Sequence, residues 1–130
     1  MYSKEARIII AGSRDFLDYK FLKEKCDEII QKLTEYKITI ISGTARGADT
    51  LGEQYAKENN YILKRMPANW NDYGKSAGPR RNEEMAKYAK EAAVSILIAF
   101  SNGSKGTGHM INSANKHELQ IFTFTFSKRE

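Results

Sequence analysis

The sequence predicts an α/β fold in three layers, a five-stranded parallel sheet with helices on both faces. Three observations carry this. Short β-branched runs alternate strictly with longer segments of helical period. The first run holds Ile8, Ile9 and Ile10 in succession, and a strand apolar on both sides has to be covered on both faces, as parallel strands are. Glycine and arginine collect after the strands, at the edge where an open parallel sheet binds ligands, while the other edge has ordinary polar turns.

Taken in order, residues 7–11 form the first strand. A helix over residues 18–36 follows, with Leu22, Cys26, Ile29, Ile30 and Leu33 on one stripe. Residues 38–41 are the second strand, and a helix over residues 48–59 turns Ala48, Leu51, Tyr55 and Ala56 inward, with Asn59 and Asn60 suited to its C-terminal end. Residues 61–66 are the third strand. Residues 67–78 read as a long loop containing Trp70 and Tyr73, which either stack on a base or pack the loop itself. A helix over residues 79–91 has Pro79 in its first turn and Met85, Tyr88 and Ala89 as its apolar face. The fourth strand spans residues 95–100, a glycine-rich turn residues 102–108, a helix residues 107–117 and the last strand residues 120–126. Lys128, Arg129 and Glu130 read as a frayed tail, and residues 1–130 as a single domain.

Composition narrows the function classes. No apolar run approaches the roughly 20 residues that span a bilayer, and the start is too polar for a signal peptide, so no membrane partner is expected. The single cysteine, Cys26, excludes an internal disulfide framework and a cysteine-rich zinc site; no metal is expected, and the location expected is the cytoplasm. A net charge of +5 favours anionic partners, although the lysines are scattered and those at 20, 23, 25 and 32 read as a solvated helix face.

The candidate site follows from what comes after each strand. Gly12, Ser13 and Arg14 follow the first; Gly43, Ala45, Arg46, Gly47 and Asp49 the second; Arg80, Arg81 and Asn82 lie beyond the third; Gly103, Gly106, Thr107, Gly108 and His109 follow the fourth. Glycine lets a backbone approach a ligand, a helix starting just afterwards offers free N–H groups, and arginine matches phosphate oxygens with a planar fork. The turn from Gly103 to Thr107 is the best phosphate cradle and that from Gly43 to Gly47 the second. Asp49 suits a ribose hydroxyl or a helix N-terminus equally well. His109 suits a phosphate or ribose contact, or simple exposure; His117 reads as a surface residue and Cys26 as core. Glu83 and Glu84 are adjacent and diverge on a helix, a poor acid/base pair. No Gly-x-x-x-x-Gly-Lys-Ser/Thr occurs, and Gly106-x-Gly108 is followed by Ile111 where a dinucleotide fingerprint needs glycine, so neither a Walker ATPase nor a standard NAD dehydrogenase is expected.

These runs, together with Pro67-Ala68-Asn69-Trp70, Ala77-Gly78-Pro79-Arg80-Arg81-Asn82-Glu83-Glu84-Met85 and Lys105-Gly106-Thr107, resemble the small YspA-like branch of the SLOG superfamily over nearly the whole chain. The resemblance implies a Rossmann-like fold, a homo-oligomer and a nucleotide-shaped site made by Gly12, Arg14, Gly43, Arg46, Asp49, Arg80, Arg81, Asn82, Gly106 and Thr107. The superfamily includes LONELY GUY-type phosphoribohydrolases, a DNA-processing protein, and sensor domains for NAD- or ADP-ribose-derived nucleotides. The hydrolase pattern places a glutamate three residues after the Gly-Thr pair. Here that place holds Met110, and Asn102-Gly103-Ser104-Lys105 stands for the hydrolase's Pro-Gly-Gly. The function expected is therefore binding of a phosphate-bearing nucleotide, with no cofactor required, as a sensor, carrier or sequestering protein. The alternatives are an N-glycosidic hydrolase, in which Asp49, Glu53 or Glu83 would supply the missing acid, and single-stranded nucleic-acid binding, the least favoured partner.

Overall fold

Ile8 and Ile10 point into one hydrophobic cluster and Ile9 and Ala11 into another, so the first strand is apolar on both faces and both are covered. In the computed structural model, which describes residues 4–126, this strand is β1, Lys4–Gly12. It lies at the centre of a sheet ordered β3-β2-β1-β4-β5, with β2 at Tyr36–Ser42, β3 at Ile62–Arg65, β4 at Val94–Ser101 and β5 at Gln120–Thr125. Every pairing is parallel. Helices α1, Tyr19–Ile30, and α2, Ala48–Glu58, bury their stripes on the face of Ile8 and Ile10. Helices α4, Ala77–Lys90, and α5, Lys105–Lys116, cover the face of Ile9 and Ala11. The result is the expected three-layer Rossmann-like sandwich, with strand order reversing between β1 and β4.

Three boundaries depart from expectation. Helix α1, capped by the Asp18 carboxylate accepting from the Phe21 N–H, stops at Ile30 and not near residue 36. A turn closed by the Leu33 N–H on Ile30 O and the Tyr36 N–H on Leu33 O then brings Tyr36 into register with Lys4. Leu33 still packs on the core from that turn, which is why the helical period ran on in the sequence. The stretch expected as a loop holds a one-turn helix α3, Trp70–Tyr73, and a 3-10 turn, Gly74–Ser76, leading directly into α4 at Ala77. The Asn69 side chain caps α3 by accepting from the Asp72 N–H, a local bond that hydrophobic periodicity does not register. Finally, α5 begins at Lys105, so Gly106 and Gly108 are helical; only Gly103, at φ 94°, supplies the turn before it. The tail at Lys128, Arg129 and Glu130 lies outside the described residues.

Two glycines fix how β1 hands the chain to the ligand edge. A Cβ on Gly12 would stand 2.2 Å from Phe100 O and 2.8 Å from the Ala48 Cβ. Gly47 takes φ 77°, and a Cβ there would stand 2.3 Å from Ser13 O. Helix α2 therefore starts wedged against the ends of β1 and β4, its Ala48 N–H donating to Ser13 O at 3.3 Å. Gly12→Ala is expected to cost about 1–3 kcal/mol through overpacking against backbone. It should lower the urea midpoint at unchanged slope; a wild-type midpoint would show that the strand ends part freely.

Candidate functional site

The loops after β1, β2 and β4 and the first turns of α2, α4 and α5 meet over the carboxyl ends of β1 and β4 around a cleft of about 670 Å³. Such a volume is ordinary for a small-molecule site. Of the residues expected from sequence, Gly12, Ser13, Arg14, Ala45, Asp49, Arg81, Asn82, Gly106, Thr107 and His109 line it. Gly43, Arg46, Gly47, Arg80, Gly103 and Gly108 do not.

Most of the residues outside the wall have another place in the structure. A Cβ on Gly43 would stand 2.7 Å from Arg81 Nη1 and 2.8 Å from Asp49 Oδ2, so this glycine makes room for two charged side chains of the wall. Gly47 and Gly103 shape the chain's path through positive φ. Arg46 is exposed beside the N-terminus of α2. Arg80 lies with its guanidinium 4.2 Å over the Tyr73 ring and donates from Nε to Ser76 Oγ at 3.2 Å.

The two acids considered beside Asp49 are engaged elsewhere. Glu53 accepts from Ser42 Oγ at 2.7 Å and from Arg65 Nε at 3.3 Å. Glu83 bridges α4 to α5 through His117 Nε2 at 2.6 Å and Lys116 Nζ at 3.0 Å. Hydrogen bonds from His117 and Lys116 hold the Glu83 carboxyl at about 2, below the usual range. His117, expected at the surface, is thus a half-buried tie between helices. Cys26 is buried in the core, as expected, and burial raises its thiol far above the ordinary range.

A polar web that hydrophobic period and motif spacing do not signal joins the first and fourth loops. Buried Ser13 donates from Oγ to Asn102 Oδ1 at 2.7 Å and accepts from the Asn102 N–H at 3.2 Å. Asn102 Nδ2 in turn reaches both Asp15 oxygens at 3.0 Å. Ser104 Oγ donates to Thr107 Oγ1 at 2.8 Å. Asp15, Asn102 and Ser104 line the cleft, as does buried Met110. No local pattern announces the Ser13–Asn102 pairing, since it spans 89 positions and depends on β1 lying beside β4.

Comparison with known proteins agrees with the fold. Residues 6–73, through β3 and α3, match the family described as YAcAr: YspA, cpYpsA-related SLOG family. The chain belongs to this SLOG family. It is 29% identical over 124 residues to the Gene 61 protein of Mycobacterium phage D29, covering 91% of this chain and 95% of that one. Its fold is similar to that of DNA processing protein A (DprA) from Streptococcus pneumoniae, with a TM-score of 0.67 at 18% identity. That likeness covers 92% of this chain and 50% of that protein, so the SLOG chain spans half the length of this structural relative.

The electrostatics of the SLOG cleft centre on Asp49. Its side chain is buried in the first turn of α2 and accepts from the Ala45 N–H at 3.1 Å. Burial raises its pKa from 3.8 to about 6, against the lowering pull of the Ala45 N–H, Arg81 and Arg14. Arg81 is itself lowered, by burial first and by Arg14 as well, while Asp49 holds it up. It donates from Nη1 to Gly43 O and from Nε to Asn82 Oδ1 at 3.0 Å. Asn82 reaches His109 Nδ1 at 3.3 Å, which joins α4 to α5 across the cleft floor. Because folded Asp49 holds its proton more tightly than the unfolded chain does, its contribution to stability is full below about pH 4 and is lost as pH rises through about 6. Relative to Asp49→Asn, wild type should therefore lose about 2 kcal/mol between those limits. Urea unfolding of both proteins across that range measures it, and a flat difference would show that Asp49 titrates as an exposed carboxylate does.

Proposed function

We propose that the cleft binds a phosphate-bearing nucleotide, with NAD- and ADP-ribose-derived nucleotides as the favoured class, and that the protein acts as a sensor, carrier or sequestering protein without turning its ligand over. The observation that carries this reading is the state of the helix N-termini. Helix α1 is capped by its own Asp18 side chain. Helices α2, α4 and α5, whose first turns reach the cleft, carry no side-chain cap bond. The first i→i−4 bond of α5 is the Gly108 N–H on Ser104 O, which leaves the N–H groups of the three preceding residues outside the helix ladder. A Cβ on Gly106 would meet nothing within 4 Å, so this turn is open on the side a phosphate would approach. Arg14 and Lys105 supply positive charge on the same wall.

The chemistry of the wall favours binding over hydrolysis. A glycosidic bond breaks through a cation-like sugar that a carboxylate has to stabilise, or through water that a base has to activate. The carboxylates lining the cleft are Asp15 and Asp49. The first accepts from Asn102 and the second from the Ala45 N–H. The position three beyond Gly106-Thr107 presents the thioether of Met110. In this role the protein needs no metal or cofactor and works in a reducing, cytoplasmic compartment, which its single, buried cysteine suits. No described helix is long and apolar enough to cross a membrane.

Calorimetry with AMP, ADP-ribose and NAD tests the reading, beside native mass spectrometry of freshly purified protein to catch a copurified nucleotide. Gly106→Val, placed where open space accepts a side chain, should keep the fold and weaken nucleotide binding at least tenfold, about 1.4 kcal/mol. Unchanged affinity would remove the first turn of α5 from the site. Overnight incubation with the same nucleotides should release no free base, and multiple turnovers would favour the glycosidase alternative. Affinity should fall little with added salt; a steep loss would favour a nucleic-acid strand.

A further inference from the structure

Trp70 is the chain's single tryptophan and, among the described residues, one of four large hydrophobic side chains left exposed, at 53%. It is the only one of those four on the wall of the cleft. Its position is built. Asn69 caps the turn that carries it, accepting from the Asp72 N–H at 3.2 Å and donating to the Asp72 carboxylate at 2.8 Å. One edge of the indole rests on the first turn of α4, where a Cβ on Gly78 would already stand 3.4 Å from the ring. Glycine at that place lets the ring lie close to the helix backbone. The neighbouring Tyr73 has its face covered by the Arg80 guanidinium at 4.2 Å. Among the described residues, Trp70 has no such partner, aromatic or cationic. A large planar side chain held half in water at the mouth of a ligand cleft gains by covering its free face with another flat, apolar surface. Two other planar groups on the wall, Arg81 and His109, have hydrogen-bond partners in Gly43 O and Asn82.

We propose that Trp70 is the base platform of the site: its indole stacks on the heteroaromatic base of the nucleotide and makes the cleft select base-bearing ligands over base-free sugar phosphates. This rests on the nucleotide reading above and assigns it a specificity-determining residue. The phosphate would be held by the uncapped turns and charged groups of the wall, and the base by the rim. Stacking has no hydrogen-bond requirement, so the platform on its own demands an aromatic base without fixing which one.

The single tryptophan supplies its own probe. Full-length protein is titrated with AMP, ADP-ribose and ribose 5-phosphate, followed by selectively excited tryptophan emission and, in parallel, by calorimetry. AMP or ADP-ribose should quench or shift the emission at saturation, and ribose 5-phosphate should bind at least about tenfold more weakly and leave the emission nearly unchanged. Trp70→Ala should weaken the base-bearing ligands about tenfold and change ribose 5-phosphate affinity by less than twofold, while Trp70→Phe retains most of the wild-type affinity. The wild-type comparison needs no variant, so it stands even if a substitution at residue 70 perturbs α3. If wild type binds AMP, ADP-ribose and ribose 5-phosphate equally well, or if Trp70→Ala binds all three as wild type does, the platform is overturned and phosphate binding stands. If wild type binds none of the three, both readings fall together.

Discussion

Burial of β1 on both faces is the constraint from which the rest of the structure follows. A strand carrying Ile8 and Ile10 on one side and Ile9 and Ala11 on the other cannot face water, so helices have to cover both surfaces. Parallel neighbours then require each connection to return over a face, which sends every strand's carboxyl end and the start of the following helix to the same edge. The cleft is a by-product of that geometry. At the reversal between β1 and β4 the loops on either side leave in opposite directions, and the space between them is where the polar side chains gather.

Holding charge at that edge requires a specific set of concessions. Asp49 and Arg81 are both pulled from water, and each shifts toward its neutral form through burial. Neither is left without partners: Asp49 takes the Ala45 N–H, and Arg81 gives its protons to Gly43 O and Asn82. Among the described residues no buried side-chain polar atom lacks a hydrogen-bond partner. Gly43 is the geometric condition for this arrangement, because any side chain there would occupy the place of the two charged groups. The glycines of the ligand edge thus divide by task. Gly12, Gly43 and Gly47 admit close neighbours of the protein itself, whereas Gly106 opens onto the cleft.

The SLOG family match spans residues 6–73, from β1 to α3, and similarity to the phage protein extends over nearly the full length. The fourth loop and α5, beyond that matched half, supply Ser104, Lys105, Gly106, Thr107 and His109 to the cleft. The two halves are joined at the site by the Ser13–Asn102 hydrogen bonds and by Arg81 donating to Gly43 O.

Local chemistry alone was enough to place the strands, the helix stripes and the loops that carry the site. Successive isoleucines, the Leu22-Cys26-Ile30 stripe and glycines after strands are all short-range signals, and ten of the residues they pointed to line the cleft. Local signals failed where a contact between distant segments decided the outcome. The end of α1 was set by the register of Tyr36 with Lys4. Glu83 went to His117 and Lys116, and Glu53 to Ser42 and Arg65, because of which elements lie alongside each other. Gly43 looked like a ligand glycine from its neighbours in the chain, and packing against Arg81 gave it a supporting place instead. Sequence determines which residue types arrive at the ligand edge, since strand and helix order is written in the hydrophobic period; only tertiary packing decides which of them face the cleft, since side-chain direction there depends on partners tens of positions away.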